Sequence, residues 1–181
     1  MRYLVVSDIH GSMFYGGRIP ELFEREKADE LILLGDLYYH GPRNPLPEDY
    51  RPMDVSKMLN GMKDKLVAIR GNCDAEVDEM ISEFKFNDHV VKEIAGRKFY
   101  FTHGHHVNID NAPDEEFDAV IYGHFHTGFI KVLDGKIYAN AGSMSLPKND
   151  TAHSYIVIDE ETMALKDIDG AIIENINLSE V

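Results

Sequence analysis

Three short apolar runs, Tyr3 to Val6, Leu31 to Leu34 and Leu66 to Ile69, each end abruptly, in Ser7-Asp8, Gly35-Asp36 and Arg70-Gly71-Asn72. Unbroken aliphatic and β-branched runs of this length are the pattern of strands covered on both faces, as in parallel sheets packed between other layers. Between them lie segments with helical spacing: Ile19, Leu22 and Phe23, then Val55, Met58, Leu59 and Met62 at i, i+3, i+4 and i+7. The first part of the chain is therefore expected to be βαβαβ. Crossovers in such units are right-handed, and ligands bind beyond the carboxyl ends of the strands. Residues far apart in sequence, Asp8, Asp36 and Asn72 among them, are thereby brought to one edge.

After Asn72 the pattern predicts a further helix, with Asp74 as its N-cap and Val77, Met80, Ile81 and Phe84 on its buried face. The second half changes character. Val90 to Ile94 and Lys98 to Thr102 flank Ala95-Gly96-Arg97, and Ile130 to Leu133 and Lys136 to Ala139 flank Asp134-Gly135, both hairpin signals. Further strands are expected at Ser154 to Ile158, Ala164 to Ile168 and Ile172 to Leu178, giving a helix-poor, antiparallel half. The fold class expected is α/β (α+β): a four-layer αββα sandwich of two stacked mixed sheets flanked by helices, forming one domain over residues 1–181. The longest irregular stretch, Tyr38 to Met53, is stiffened by Pro42, Pro45 and Pro47, and a loop of this length in a compact domain usually serves function.

With 18 basic against 32 acidic residues the formal net charge is -14, which opposes any sequence-independent grip on nucleic acid or on an anionic membrane. The only cysteine, Cys73, allows no intrachain disulfide and suits a reducing compartment. No apolar run is long enough for a signal core or a membrane span, so the expected location is the cytoplasm.

Seven residues with metal-binding side chains lie in five patches, each at an expected strand end. They are Asp8 and His10 in SDIHG, Asp36 in LLGDL, Asn72 in RGNCD, His103 in FTHGH, and His124 and His126 in YGHFH. Each has an ordinary structural use if taken singly: Asp8 as a helix cap, Asp36 in a turn, Asn72 in a left-handed bend, His103 in a surface cluster with His105 and His106. Their joint occurrence at strand ends, with carboxylate, amide and imidazole donors, favours a pair of divalent first-row cations and hydrolysis of phosphate esters. In Asp8-Ile9-His10 and His124-Phe125-His126 the spacing of two puts both outer side chains on one side of an extended backbone, about 6.5 Å apart. That span reaches both members of a metal pair roughly 3.5–4 Å apart. The chain has no H-E-x-x-H, no G-x-x-x-x-G-K-[ST] and no G-x-S-x-G, so a zinc peptidase of that type, a P-loop and a serine hydrolase with a nucleophile elbow are excluded.

The order D-x-H, G-D, G-N-x-D, H-G and G-H-x-H, from Asp8 to His126, resembles the calcineurin-like metallophosphoesterase superfamily. The stretches beginning at Asp36, at Arg70 and at Asn140-Ala-Gly142-Ser143 are similar to its small bacterial YfcE-type phosphodiesterase branch. The resemblance implies two divalent metal ions, with manganese expected and iron, zinc, cobalt or nickel compatible. One would be held by Asp8, His10, Asp36 and His126, the other by Asp36, Asn72, His103 and His124, with Asp36 bridging. It implies in-line attack of a metal-bound hydroxide on a small phosphodiester and a small homo-oligomer. Asp36, Asn72, Cys73 and His103 are the catalytic candidates, and His40, Arg43 and Asn72 those for substrate contact. Cys73 stands where many superfamily members have a histidine read as the acid for the leaving group, and a buried, inert thiol is its alternative reading. The rival functions are a protein-binding scaffold of the same fold, like a retromer subunit whose metal site has degenerated, and a phosphomonoesterase or nuclease using the same site.

Overall fold

The computed structural model describes residues 1–181. In chain order its amino-terminal half contains β1 (Tyr3–Val6), α1 (Met13–Gly16), α2 (Ile19–Arg25), β2 (Glu30–Leu33), α3 (Pro52–Asn60), β3 (Leu66–Ile69), α4 (Glu76–Ile81) and β4 (Phe86–Asn87). The remainder is nearly all strand: β5 (His89–Ile94), β6 (Arg97–Thr102), β7 (Ala119–Tyr122), β8 (Phe129–Leu133), β9 (Lys136–Asn140), β10 (Ser154–Ile158), β11 (Thr162–Asp167) and β12 (Ile172–Asn177).

These strands form two mixed sheets. One has the order β12-β11-β10-β1-β2-β3-β4 and the other β5-β6-β7-β9-β8. The uninterrupted apolar strands have the expected cause: both of their faces are covered. Val5 and Ile32 enter the cluster of 18 buried residues between the sheets, where they meet Phe99, Phe101, Ile121 and Ile137. Their neighbours Leu4, Val6, Leu31 and Leu33 point the other way, against Ile19, Leu22, Val55 and Leu59 of the helices. The outer face of the second sheet presents Tyr100, Val120, Tyr122 and Tyr138, covered by Val107, Ile109 and Phe117 from the irregular segment between β6 and β7. No helix is long and apolar enough to cross a membrane.

The hairpin turns fall where expected, with Ala95 and Gly96 at φ 53° and 74° and Asp134 and Gly135 at 52° and 71°. Positive φ at both central residues matches the twist of the flanking strands. The second half is not wholly antiparallel, however. Strands β6, β7 and β9 pair in parallel, with Phe99 opposite Ala119 and Val120 opposite Tyr138. Hairpin signals govern only strands adjacent in sequence, whereas β6 and β7 are joined by a long crossover. The consequence for function is direct: β6 and β7 deliver His103 and His124 to the same edge.

The helix after Asn72 also departs from expectation. It begins at Glu76, its N-cap position is Ala75, and Asp74 lies outside it with its carboxylate turned back to the β2 loop. Val77 and Met80 are 58% and 84% exposed, while Asp78 is buried and accepts the Ala75 N–H at 2.8 Å. Only Ile81 and Phe84 of the expected apolar face pack on the core. A six-residue helix is too short for its spacing to determine which side faces inward.

Candidate metal centre

Loops leaving β1, β2, β3, β6 and β7 converge at one edge of the sandwich. They are knitted by backbone bonds: the Asp8 N–H donates to Gly35 O (3.1 Å), His10 N–H to Asp36 O (2.9 Å) and Gly123 N–H to His103 O (2.9 Å). The Asp74 carboxylate fastens the β2 and β3 loops together by accepting the N–H groups of Asp36 (2.7 Å), Leu37 (2.8 Å) and Gly71 (2.7 Å). Two glycines permit this closeness. A Cβ on Gly71 would lie 2.1 Å from Asp36 Oδ1, and one on Gly123 would lie 1.8 Å from Ser7 Oγ.

Asp8, His10, Asp36, His124 and His126 all adopt left-handed backbone, with φ of 54°, 50°, 55°, 65° and 59°. Asp and His enter this region more readily than most side chains, but five such residues at one edge persist because the surroundings impose it. Here the Ser143 and Ser145 hydroxyls donate to Asp8 O at 2.8 and 3.1 Å, and the Asn140 amide donates to Gly123 O at 2.7 Å. The extended geometry expected for the two spacing-of-two triplets is therefore replaced by tight bends. Ile9 turns into the helix-side core and Phe125 is left 44% exposed, while the outer residues curl toward each other.

The side chains form two abutting groups. In the first, His126 Nε2 is 3.2 Å and His10 Nε2 3.5 Å from Asp8 Oδ1, and the two Nε2 atoms are 3.2 Å apart. In the second, His103 Nε2 lies 3.0 Å from Asn72 Oδ1, and the His124 ring stands 5.1 Å from that of His103, centre to centre. Asp36 lies between them, with Oδ2 3.7 Å from His10 Nε2 and Oδ1 3.5 Å from His103 Nε2.

Three histidines have their other nitrogen committed. Nδ1 of His10 meets Tyr39 O at 2.7 Å, Nδ1 of His103 meets Leu34 O at 2.7 Å, and Nδ1 of His126 meets Leu146 O at 2.6 Å. A carbonyl only accepts, so each Nδ1 carries the hydrogen and each Nε2 of a neutral ring directs a lone pair inward. Lone pairs therefore face one another between His10 and His126, and between His103 and Asn72. Asp8 Oδ2 is satisfied by Ser7 Oγ (2.6 Å) and the His124 N–H (2.9 Å), while the buried Oδ1 has no hydrogen-bond partner. Converging acceptors that are buried at Asp8, His10, His103 and His126, with Asn72 opening to solvent, are costly by themselves and are relieved by a proton or a cation. The donor set thus fits divalent metal.

The ionisation pattern follows from the same packing. Burial pushes the Asp8 carboxyl up, but the rings of His10 and His126, which donate to Oδ1 only when protonated, more than reverse this and hold it well below the usual range. Burial opposes charge on His10, yet Asp8 carries its pKa above the ordinary value. Burial, followed by the charge of His103, lowers His124. Burial and then Asp36 push the Cys73 thiol up to about 12 and Asp74 up to about 6.

Beside the two groups opens a cleft of about 810 Å³ whose wall includes Asp36, Asn72, Cys73, His124 and His126. Arg43 of the proline-stiffened loop lines it, as do Tyr39, Phe125 and Lys148. His40 packs against Tyr39 and Tyr50 and is not among the lining residues. Sequence reasoning missed the supporting groups. Asp74 of the G-N-x-D motif fastens loops where its position predicts a helix cap, and Ser143 of Asn140-Ala-Gly142-Ser143 braces Asp8. Lys148 belongs to no motif.

A family model for the calcineurin-like phosphoesterase superfamily domain matches residues 1–163. The phosphodiesterase YfcE of Escherichia coli strain K12 is 37% identical over 169 residues, which span 91% of each chain. A solved structure of that E. coli phosphoesterase aligns with a TM-score of 0.94 at 35% identity, covering 98% of this chain and 100% of the other. Vps29 of Entamoeba histolytica, solved with Zn²⁺, aligns at a TM-score of 0.62 and 20% identity over 98% and 99% of the two chains, a likeness of fold alone.

Proposed function

Because this chain belongs to the calcineurin-like phosphoesterase superfamily, we propose that it is a metal-dependent phosphodiesterase acting on small diesters at a two-metal centre. The observation that carries this reading is the set of inward lone pairs on either side of Asp36. Asp8, His10, Asp36 and His126 would hold one cation, and Asp36, Asn72, His103 and His124 the other. Two divalent cations, manganese foremost, supply Lewis acidity toward phosphoryl oxygens and a water acidified enough to act as nucleophile.

The protein's own part is to fix these donors before substrate arrives. Carbonyls of Leu34, Tyr39 and Leu146 set the tautomer and orientation of three histidines, so little reorganisation accompanies binding. Arg43, with its planar fork of donors, lines the cleft wall and is suited to an anionic oxygen pair on the substrate. Asn72 borders the cleft and adds an amide to the substrate side. His40 acts less directly, through the loop that carries Tyr39 and Arg43. Cys73 offers a thiol where an imidazole donor would otherwise serve the departing alkoxide, so diesters with acidic alcohols are the favoured substrates.

The test is hydrolysis of bis(p-nitrophenyl) phosphate by chelator-stripped protein before and after addition of Mn²⁺. Turnover should appear with metal and fall by at least about 100-fold in Asp36→Asn, the magnitude typical for loss of a preorganised electrostatic group. Metal-independent turnover, or near-normal activity of the variant, would refute the reading. Full retention of metal without turnover of any ester would favour the scaffold alternative.

A further inference from the structure

Lys148 is an exposed lysine on the loop after β9, and nothing in the metal-ligand pattern calls for it. Its backbone is built into the centre nonetheless. Its N–H donates to His126 O at 2.9 Å, its carbonyl accepts the Thr151 N–H (3.1 Å) and hydroxyl (2.8 Å), and Leu146 two residues earlier orients the His126 ring. Asn149 and Asp150 follow in left-handed backbone at φ 55° and 59°, and the Asn149 amide donates to Thr127 Oγ1 at 3.0 Å. The loop that positions a ligand thus also brings Lys148 to the wall of the cleft.

Arg43 enters the same cleft from the proline-stiffened loop. Arg51 of that loop pairs with both Asp49 and Asp54. Arg43 and Lys148 pair with no carboxylate and face the cleft. The charge of the centre does not require them. Two dications against the carboxylates of Asp8 and Asp36 and one hydroxide nucleophile would leave roughly +1, which the single negative charge of a diester already balances. Two further cations beside that site provide for additional negative charge on the ligand. Tyr39 and Phe125, 42% and 44% exposed, add apolar ring faces to the wall on which a short carbon skeleton could lie.

We infer that Lys148 and Arg43 are specificity-determining residues that bind a second anionic group, phosphate or carboxylate, carried by one of the alcohols of the substrate diester. This rests on the phosphodiesterase reading above and narrows its substrate class. A remote anion held there anchors the diester while the reacting phosphate lies over Asp36 and Asn72, so the gain appears mainly in KM.

The experiment uses the Mn²⁺-loaded full chain and four p-nitrophenyl diesters whose second alcohol is ethanol, 3-hydroxypropionate, 2-hydroxyethyl phosphate or choline. Removing a charge-assisted hydrogen bond changes binding by about tenfold, so kcat/KM for the anionic tails should exceed that for the ethyl tail by about tenfold or more. The choline tail should rank lowest. In Lys148→Gln and Arg43→Gln the anionic-to-ethyl ratio should fall toward one, chiefly through KM, and Lys148→Arg should restore it. The relative rates of the two anionic tails identify which anion the cleft prefers. Independently of turnover, calorimetry with uncleavable sulfonates should show 3-sulfopropionate binding more tightly than isethionate, and this difference should vanish in Lys148→Gln. Hydrolysis of all four diesters without tail preference, or a ratio unchanged in both glutamine variants, overturns this inference and leaves the phosphodiesterase reading intact. Absence of diester turnover with the sulfonate ranking retained overturns the phosphodiesterase reading and leaves an anion-binding cleft.

Discussion

Replacement of Asp74 by alanine should destabilise the fold and loosen the metal centre together. The carboxylate is 8% exposed and is the acceptor for three buried N–H groups, those of Asp36, Leu37 and Gly71. Each buried donor left without an acceptor costs about 1–3 kcal/mol, so the three together cost about 6 kcal/mol. Part of this is offset, because the carboxylate is itself disfavoured where it stands. Burial, and next the charge of Asp36, raise its pKa from 3.8 to about 6. Removing a carboxylate held ionised about two units above its ordinary value relieves about 3 kcal/mol at neutral pH. The expected net loss is about 3 kcal/mol, or about 9 °C in Tm for a chain of this size. Because the folded pKa is raised, the offset is largest above pH 6 and shrinks toward pH 4, so the gap between wild type and variant should widen as pH falls. Urea unfolding of chelator-treated protein at pH 5 and pH 8 measures this, and metal titration reports the loosened centre. A change below about 1 kcal/mol with undiminished metal affinity would show that Asp74 does not hold the loops.

Gly123→Ala should lower metal affinity by at least about tenfold, since its Cβ would fall 1.8 Å from Ser7 Oγ and displace the hydroxyl that orients Asp8; unchanged affinity by calorimetry would mean the turn can move aside. In chelator-treated protein the raised pKa of His10 makes its pairing with Asp8 stabilising below about pH 6.5, and that contribution is lost as pH rises through the folded value. Metal requires the neutral ring and stabilises on the opposite side, so thermal melts of stripped and Mn²⁺-loaded protein should diverge as pH increases from 5 to 8, and parallel curves would contradict the ligand role. Across a series of aryl phosphodiesters, kcat/KM should fall steeply as the leaving alcohol becomes less acidic, because a Cys73 thiol in place of an imidazole gives little proton assistance; a flat dependence would point to an efficient donor.

The positions of the donors were legible in the sequence because the strands that carry them are buried on both faces, and such strands announce themselves as short apolar runs that end at a loop. Asp8, Asp36 and Asn72 follow from that alone, and the hairpins at Ala95-Gly96 and Asp134-Gly135 follow from local turn chemistry. What local patterns do not hold is tertiary constraint. Asp8-Ile9-His10 reads as extended until Ser143 and Ser145, remote in sequence, hold Asp8 in a left-handed bend. The parallel pairing of β6, β7 and β9 depends on long crossovers that leave no short-range mark. Asp74 resembles a helix cap because capping and loop fastening demand the same chemistry, a carboxylate accepting N–H groups. Lys148 left no trace at all, since its significance lies in which cleft its loop borders.

The most direct measurement of the central claim is anomalous diffraction from crystals of the Mn²⁺-loaded protein. Two peaks are predicted, one enclosed by Asp8, His10 and His126 and the other by Asn72, His103 and His124, with Asp36 reaching both. A single peak outside these side chains, or none at saturating metal, would contradict the account.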